Sequence, residues 1–157
     1  MSNKVIKTVY PNRVEYALDG MYHREGGPAI EYTNGDKEWC LHGKLHREDG
    51  PAIERANGHK EWRLHGKLHR EDGPAVEYTN GSKYWYLNNK RHRVDGPAVE
   101  YFNGNKRWYL YGKLHRTDGP AVERANGDKE YWVDGKLLDF INNDQMLIYY
   151  IKYGFLK

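Results

Sequence analysis

The sequence contains very few cysteine and serine residues. Cys40 is its single cysteine, so no disulfide can form within the chain, and a thiolate-rich zinc site is excluded. Ser2 and Ser82 are its serines, and neither has a base and an orienting acid at a recognisable spacing. No glycine-rich loop of the phosphate-binding kind leads into a helical pattern. The sequence therefore predicts no enzyme activity, no cofactor and no metal site.

Long apolar segments are also missing. Nowhere do about eighteen apolar residues follow one another, and the start, Met-Ser-Asn-Lys-Val, lacks the apolar run of a signal peptide. The 25 Lys and Arg residues and 22 Asp and Glu residues alternate in sign and leave a formal charge of +3, which is not the footprint of a nucleic-acid-binding protein. We therefore expect a soluble, cytoplasmic protein with no membrane span and no specific nucleic-acid partner.

Aromatic side chains are plentiful in an otherwise polar chain. The mean hydropathy is -1.01, yet the 157 residues include 14 Tyr and 5 Trp. This balance is too polar for a thick two-layer core and too aromatic for a disordered chain. Half-covered aromatic rings are therefore expected to supply most of the buried area of a thin structure.

One segment recurs five times at a constant interval of 23 residues. Each copy contains His-Arg, then Gly-Pro-Ala, then Asn-Gly, then an aromatic residue. A fixed period in this range is typical of repeat proteins in which each unit packs against its neighbours. Gly-Pro-Ala begins at Gly27, Gly50, Gly73, Gly96 and Gly119, and the aromatic residue is Trp39, Trp62, Trp85, Trp108 or Tyr131.

Within one unit the pattern predicts a β-hairpin. A short β-prone segment ends at Asn57-Gly58, a pair that type I′ turns favour because both central residues need positive φ. In the return strand Trp62 and Leu64 share one face of the pleat, with charged residues on the other. A second turn is expected at residues that tolerate left-handed φ, namely Asp19-Gly20, His42-Gly43, His65-Gly66, Asn88-Asn89, Tyr111-Gly112 and Asp134-Gly135.

These features predict an all-β fold, a single-layer antiparallel array of β-hairpin repeats with a 23-residue period. We expect one domain, with five hairpin repeats in residues 20–137 between an N-terminal cap, 1–19, and a C-terminal cap, 138–157. The C-terminal cap is the most apolar stretch of the chain, and its pattern leaves helix and strand open.

The stretch from Trp62 to Gly81 resembles a variant of the MORN repeat, whose unit is a β-hairpin of similar length. The shared elements are the aromatic residue, Gly-Lys-x-His and the closing Asn-Gly. The stretch differs in having Arg-x-Asp-Gly-Pro after the histidine and one more residue between Trp and Gly. Over residues 15–138 the chain is also similar to small repeat proteins of tailed phages and giant viruses. The resemblance implies a hairpin array with binding or assembly roles, sometimes at membranes, and no catalytic residues.

Positions that differ between the copies are candidates for a binding site, because the fold does not fix them. The outer face of the return strand, which includes Cys40 in the first copy, becomes rich in Tyr and Arg in later copies. Tyr and Arg are enriched at binding hot spots, although such rings can also pair across strands simply to stiffen a sheet. The predicted partner-binding residues are Tyr84, Tyr86, Arg107, Tyr109, Tyr111, Arg91 and Arg93.

Residues shared by all copies are interpreted first as structural. Arginine and aspartate two residues apart are expected to pair and hold the turn before proline. His42 and His46 have a spacing that binds metal on a helix, but a turn glycine lies between them, which favours packing histidines. The expected pairs are Arg47 with Asp49, Arg70 with Asp72, Arg93 with Asp95, and Arg116 with Asp118. An alternative anion-binding set is His46, Arg47, His69, Arg70, His92, Arg93, His115 and Arg116.

We therefore expect a non-catalytic, phage-encoded binding protein that acts in the cytoplasm of a bacterial host. It would bind a host protein and interfere with defence or metabolism. One alternative is a sponge that sequesters a nucleotide-like anionic signal, with arginines on phosphates and tyrosines on bases. Another is a self-assembling structural component that pairs through its sheet edges or its C-terminal cap.

Overall fold

The structure, a computed structural model, describes residues 4–138 together with Ile148, Ile151 and Lys152. The chain divides into two compact units, Met1–Lys90 and Arg91–Lys157. Short antiparallel β-strands form the regular structure of residues 4–138. The choice between helix and strand for the C-terminal cap falls largely outside the described residues. Among those that are described, no helix is long and apolar enough to span a membrane.

The first unit holds an antiparallel sheet of consecutive hairpins. Neighbouring strands follow the order β1, β2, β4, β5, β8, β9, β12, β13, while β3 pairs with β2, and β6–β7 and β10–β11 form separate two-stranded hairpins. The strands are β1 (Ile6–Val9), β2 (Arg13–Leu18), β3 (Met21–Tyr22), β4 (Ile30–Tyr32), β5 (Lys37–Glu38), β6 (Cys40–Leu41), β7 (Lys44–Leu45), β8 (Ile53–Glu54), β9 (Lys60–Glu61), β10 (Arg63–Leu64), β11 (Lys67–Leu68), β12 (Val76–Glu77), β13 (Lys83–Tyr84) and β14 (Tyr86–Leu87).

The second unit repeats the same plan. Its sheet has the strand order β16, β17, β20, β21, and its two-stranded hairpins are β18–β19 and β22–β23. The boundary between the units falls within β15 (Lys90–Arg91). The strands are β16 (Val99–Glu100), β17 (Lys106–Arg107), β18 (Tyr109–Leu110), β19 (Lys113–Leu114), β20 (Val122–Glu123), β21 (Lys129–Glu130), β22 (Trp132–Val133) and β23 (Lys136–Leu137).

Each repeat contains two hairpins instead of one. In the first hairpin β8 pairs with β9, with Ile53 opposite Glu61, and in the second β10 pairs with β11, with Arg63 opposite Leu68. Trp62 lies between the two hairpins, where its backbone N–H donates to the carbonyl of Ala75 at 2.8 Å. The predicted all-β antiparallel hairpin array is confirmed in both units, and the second hairpin is an addition that the sequence pattern did not separate.

The two turns of a repeat have different geometries, and the predicted type I′ geometry at Asn57-Gly58 is wrong. Gly58 has φ 93°, but Asn57 is not left-handed, so the turn is of type I followed by a left-handed glycine. The Asn57 Oδ1 atom accepts the N–H of His59 at 3.0 Å, which holds this form. The type I′ geometry occurs at the second turn, where His65 (φ 49°) and Gly66 (φ 82°) are both left-handed.

The core is thin and built from small residues. The alanine of each Gly-Pro-Ala is fully buried, and the β-branched residue after it is nearly so. The aromatic residue between the two hairpins is half-buried in every copy, as the composition predicted. The fully buried alanines are Ala29, Ala52, Ala75, Ala98 and Ala121.

The shared histidines connect consecutive repeats. The Nδ1 atom of His46 accepts the backbone N–H of His65 at 3.2 Å, and the two rings lie 4.5 Å apart. This bond satisfies the N–H of the left-handed turn residue, which the turn leaves without a partner of its own. The same bond joins His23 to His42, His92 to Tyr111, and His115 to Asp134.

Candidate functional site

The structure corrects the solvent placement of two residues on the predicted partner-binding face. Strand alternation placed Cys40 and Tyr109 toward solvent, but Cys40 is 4% exposed and Tyr109 is 9% exposed. The chain changes its pairing partner at Trp39 and at Trp108, because the strand before each tryptophan belongs to the long sheet and the strand after it to a separate two-stranded hairpin. Period-2 counting therefore does not continue across either tryptophan. Burial also raises the pKa of the Cys40 thiol to about 11, so it is not a reactive thiolate.

The remaining predicted partner-binding residues are divided between the two units. Tyr84 and Tyr86 belong to the first unit, and the others to the second. All seven predicted residues are described, and among them Tyr111 alone is largely exposed, at 64%. The half-buried ones include Tyr84 with its ring 5.2 Å from that of Tyr78, Arg91 with Cζ 5.3 Å from the Tyr109 ring, Arg107 with Cζ 5.5 Å from the Tyr101 ring, and Arg93 with Nε 3.0 Å from Asp95 Oδ1.

Clefts with a recurring lining lie between neighbouring repeats. Each has a tryptophan and a leucine at its floor, and a His-Arg-x-Asp segment along its wall. The first cleft, of about 420 Å³, is lined by 24–27, Trp39, Leu41 and 46–49; the second, of about 490 Å³, by 47–50, Trp62, Leu64 and 69–72; and the third, of about 390 Å³, by 93–96, Trp108, Leu110 and 115–118. The first two belong to the first unit and the third to the second unit.

An arginine forms the wall of each cleft and is held by the same contacts. The Cζ atom of Arg47 lies 4.1 Å from the centroid of the Trp39 ring. Its Nε donates to Asp49 at 2.8 Å, and its Nη1 donates to Glu54 at 3.0 Å and to the carbonyl of Pro51 at 3.3 Å. The predicted ion pairs are confirmed at Arg47–Asp49, Arg70–Asp72, Arg93–Asp95 and Arg116–Asp118.

The packing of this arginine explains the glycine of Gly-Pro-Ala. A Cβ atom on Gly50 would lie 2.8 Å from Cζ of Arg47, and a Cβ atom on Gly73 would lie 2.8 Å from Cζ of Arg70. Neither glycine has a positive φ, so close approach and not backbone freedom requires it. The motif His-Arg-x-Asp-Gly-Pro-Ala is therefore a structural frame in which the position after arginine varies, and in the first copy Gly26 also replaces the aspartate.

The predicted anion-binding residues lie in this frame. His46, Arg47, His69 and Arg70 line the first two clefts, and Arg93, His115 and Arg116 line the third. Their arginine Nε and Nη1 atoms donate to carboxylates of the same repeat, which balance their charge locally. A phosphate would have to displace these carboxylates to obtain the forked hydrogen bonds that arginine offers.

The clefts differ at the variable position between arginine and aspartate, which forms the rim. Glu25 and Glu48 occupy it in the first cleft, and Glu48 and Glu71 in the second. In the third cleft the rim residues are Val94 and Thr117. The glutamate side chains are 83–88% exposed, and Val94 is likewise 83% exposed. The third cleft thus keeps the frame but has lost both rim carboxylates.

One of the two repeats that line the third cleft exposes two more aromatic side chains. Phe102 is 69% exposed at a turn position that holds Thr or Ala in the other copies, and Tyr111 is 64% exposed at the second turn. Tyr111 has φ 48°, a left-handed conformation that is costly for an aromatic residue. Its N–H donates to His92 Nδ1 at 3.1 Å, and the two rings lie 4.2 Å apart. The fold therefore does not require an aromatic residue at position 111, where the side chain is exposed and the backbone is strained.

The rim residue also changes the surroundings of the shared histidine. The Nε2 atom of His46 lies 3.6 Å from a carboxylate oxygen of Glu48, whereas Val94 stands two residues after His92. Burial lowers the pKa of His92. Across the described part of the chain, no three His, Cys, Asp or Glu side chains gather in a way that could hold a metal ion.

The sequence does contain a signal for the third cleft, in the residue that varies after His-Arg. The alternation of residues along the strands does not reveal this signal. Aligning the five copies gives Glu25, Glu48, Glu71, Val94 and Thr117 at the position that follows the invariant His-Arg. What the sequence alone could not supply is that this position edges a cleft with tryptophan and leucine at its floor. Comparison with known proteins adds no further assignment, since no protein-family model matches the chain and no curated protein matches it.

Proposed function

We propose that the chain is a non-catalytic binding protein whose second unit binds another protein through the third cleft. The observation that carries the proposal is the exchange of rim glutamates for Val94 and Thr117 on an unchanged frame. Glutamate at this position is fully compatible with the frame in the first and second clefts. A purely structural array has no need to expose valine there, because exposed apolar side chains gain nothing from water.

The exposed aromatic residues of the same repeat support this proposal. Phe102 and Tyr111 add aromatic surface to the unit that contains the third cleft. Aromatic side chains are enriched in the energetically important centres of protein interfaces. The backbone strain at Tyr111 is a stability cost that a binding role would offset.

The charge of the third cleft favours a protein partner over a nucleotide-like anion. Arg93 and Arg116 each donate to an aspartate and to a glutamate of their own repeat. The cleft therefore combines a neutralised wall with an uncharged rim, Val94 and Thr117, and an apolar floor. This composition suits an aliphatic or aromatic side chain of a partner more than a phosphate.

The resemblance to MORN-like repeat proteins of phages and giant viruses gives the proposal its biological setting. In that setting the protein is phage-encoded, acts in the bacterial host cytoplasm, and binds a host protein to interfere with defence or metabolism. A protein of this kind needs no catalytic residues, since occupying a surface of the host protein is enough.

The test restores the acidic rim and asks whether binding is lost. Tagged wild-type protein and a Val94→Glu, Thr117→Glu variant are used to capture proteins from a bacterial lysate, and any captured protein is then purified and titrated against both. We expect the variant to bind at least about tenfold more weakly, since two carboxylates would be forced against an apolar contact.

A matched control separates this effect from a general change of charge. Thr33→Glu with Ala56→Glu adds the same two charges at exposed turn positions of the first unit, whereas the third cleft belongs to the second unit. It should bind the partner as the wild type does. Equal binding by the rim variant, or capture of no protein that binds when purified, would overturn the proposal. A nucleotide panel in a thermal-unfolding assay then tests the anion sponge, because ligand at 100 times its Kd adds about 2.7 kcal/mol of stability.

A further inference from the structure

Among the described residues, β1 (Ile6–Val9) is an edge strand of the sheet, and it has apolar side chains in solvent. It pairs on one side with β2, from Ile6 opposite Ala17 to Val9 opposite Val14. Ile6 is 65% exposed and Val9 is 69% exposed, and Tyr10 just beyond the strand is 41% exposed. Such an edge offers a row of backbone donors and acceptors to another strand.

The hydrogen-bond pattern shows which backbone groups this edge offers. The N–H of Tyr10 donates to the carbonyl of Arg13 at 2.8 Å, so Tyr10 directs its backbone groups toward β2. Backbone direction alternates along a strand, which assigns Ile6 and Thr8 to the same side as Tyr10. The N–H and C=O groups of Lys7 and Val9 therefore point away from β2, toward the free edge.

The side chains of the edge are positioned by the neighbouring strand. Lys7 leans back over the sheet, with Nζ 5.8 Å from the centroid of the Tyr16 ring. The guanidinium of Arg13 lies 4.7 Å from the centroid of the Tyr10 ring. Lys7 and Val9 share one face of the sheet, and Ile6, Thr8 and Tyr10 share the other.

We propose that β1 pairs with β1 of a second copy of this chain, antiparallel, about a two-fold axis through Thr8. A two-fold axis perpendicular to the sheet keeps each face of β1 on one face of the combined sheet. Residues opposite each other must then come from the same face of the strand, so the axis passes through a residue and not between two residues. An axis at Lys7 would place two ammonium groups directly opposite each other, which is unfavourable. An axis at Val9 would set Lys7 opposite Pro11, which has no N–H to donate.

The register centred on Thr8 avoids both problems. It sets Lys7 opposite Val9 of the second copy, and these are the residues whose N–H and C=O groups point outward, so about four backbone hydrogen bonds form. It sets Ile6 opposite Tyr10 of the second copy, an aliphatic–aromatic pair at a closely spaced position. It also brings the two Thr8 side chains together, a pairing that sheets favour.

Charge placement tests the register directly. Val9→Lys would put a lysine opposite Lys7 of the second copy, and Val9→Glu would put a carboxylate there. In sedimentation velocity over a series of concentrations, we expect the wild type to form a reversible dimer. Val9→Lys should weaken that dimer about tenfold and Val9→Glu should strengthen it, because the dimer contains the pair of positions 7 and 9 twice. Adding Lys7→Glu to Val9→Lys should restore the dimer.

A cross-linking experiment locates the axis independently. Residues opposite each other at such closely spaced positions have Cα atoms about 4.5 Å apart, within the range of a disulfide. Thr8→Cys should therefore form an intermolecular disulfide on mild oxidation, and Val9→Cys should form it far more slowly. Circular dichroism confirms that each variant is folded.

Three outcomes would overturn the self-pairing. They are a wild type that stays monomeric at every concentration, a dimer that ignores the charge at position 9, and equal cross-linking at positions 8 and 9. The last two would indicate a different interface or a register centred elsewhere, for example on Ile6. Partner binding at the third cleft is tested separately, by the rim variant, since β1 belongs to the first unit and the third cleft to the second.

Discussion

The second and third clefts are two copies of one frame that differ at their rims. Both have a tryptophan under an arginine, with Cζ 4.0 Å from the ring centroid at Arg70 and 4.1 Å at Arg116. The rim of the second cleft carries Glu48 and Glu71, and that of the third cleft carries Val94 and Thr117. The comparison separates the residues that a repeat needs in order to fold, the tryptophan and the arginine, from the rim residues that can differ between copies.

If the frames are equivalent, removing the tryptophan should cost the same in either cleft. Trp62→Ala and Trp108→Ala should each lower the free energy of unfolding by about 3 kcal/mol, since each removes a large ring from beneath a guanidinium. Chemical denaturation of the two variants measures this. Trp62→Phe and Trp108→Phe, which keep a ring at the floor, should lose less. A cost at Trp108 far below that at Trp62 would show that the third cleft does not share the frame.

The glycine that touches the arginine should be the next most sensitive position. Gly73→Ala and Gly119→Ala would place a Cβ atom 2.8 Å and 2.9 Å from the Cζ atoms of Arg70 and Arg116. Each should lower the free energy of unfolding by about 1–2 kcal/mol, because the guanidinium must leave its aromatic face. In an Arg70→Ala background the Gly73→Ala change should cost almost nothing, and a double-mutant cycle measures this coupling. An unchanged cost in that background would mean that the glycine is needed for another reason.

Much of this frame was predictable from the sequence, because the repeat fixes identity and spacing together. The 23-residue period predicted the hairpin array, and Arg47 with Asp49 was correctly predicted to pair. The left-handed turn at His65-Gly66 was also predicted from its residue types. These features depend on local geometry, which recurs wherever the same residues recur.

The burial of individual side chains, the type of the Asn-Gly turn and the clefts could not be predicted from the sequence. The chain passes from the long sheet into a separate two-stranded hairpin at Trp39 and at Trp108, so the alternation that placed Cys40 and Tyr109 in solvent does not hold. The type I′ geometry was assigned to the Asn-Gly turn, because sequence propensity alone does not distinguish that turn from type I with a left-handed glycine. The clefts between neighbouring repeats depend on how side chains pack, and the 23-residue period does not predict that packing.

The strain at Tyr111 gives a smaller effect, with the opposite sign. Asn88 occupies the corresponding turn position with φ 50°, and asparagine tolerates left-handed φ better than tyrosine. Tyr111→Asn should therefore raise the free energy of unfolding by about 0.5 kcal/mol while weakening partner binding. Thermal unfolding and a binding titration measure the two effects. A loss of stability would show that stacking of Tyr111 on His92 outweighs the backbone strain.

The smallest expected effect is a pH dependence that follows from the burial of His92. Burial lowers the pKa of His92 below its usual value of 6.5, so the unfolded chain binds a proton before the folded one does. The contribution of His92 is therefore complete above pH 6.5 and decreases as the pH falls through the folded-state pKa.

Two substitutions separate the causes of this dependence. His92→Asn keeps an acceptor for the Tyr111 N–H but cannot titrate, so it should flatten the decrease in stability. Val94→Glu supplies a carboxylate like the one 3.6 Å from His46, so it should raise the pKa of His92 toward its usual value. Imidazole chemical shifts in an NMR titration report this pKa directly. A His92 pKa that Val94→Glu leaves unchanged would mean that the rim residue does not reach this histidine, and that the copies differ only in the surface they offer a partner.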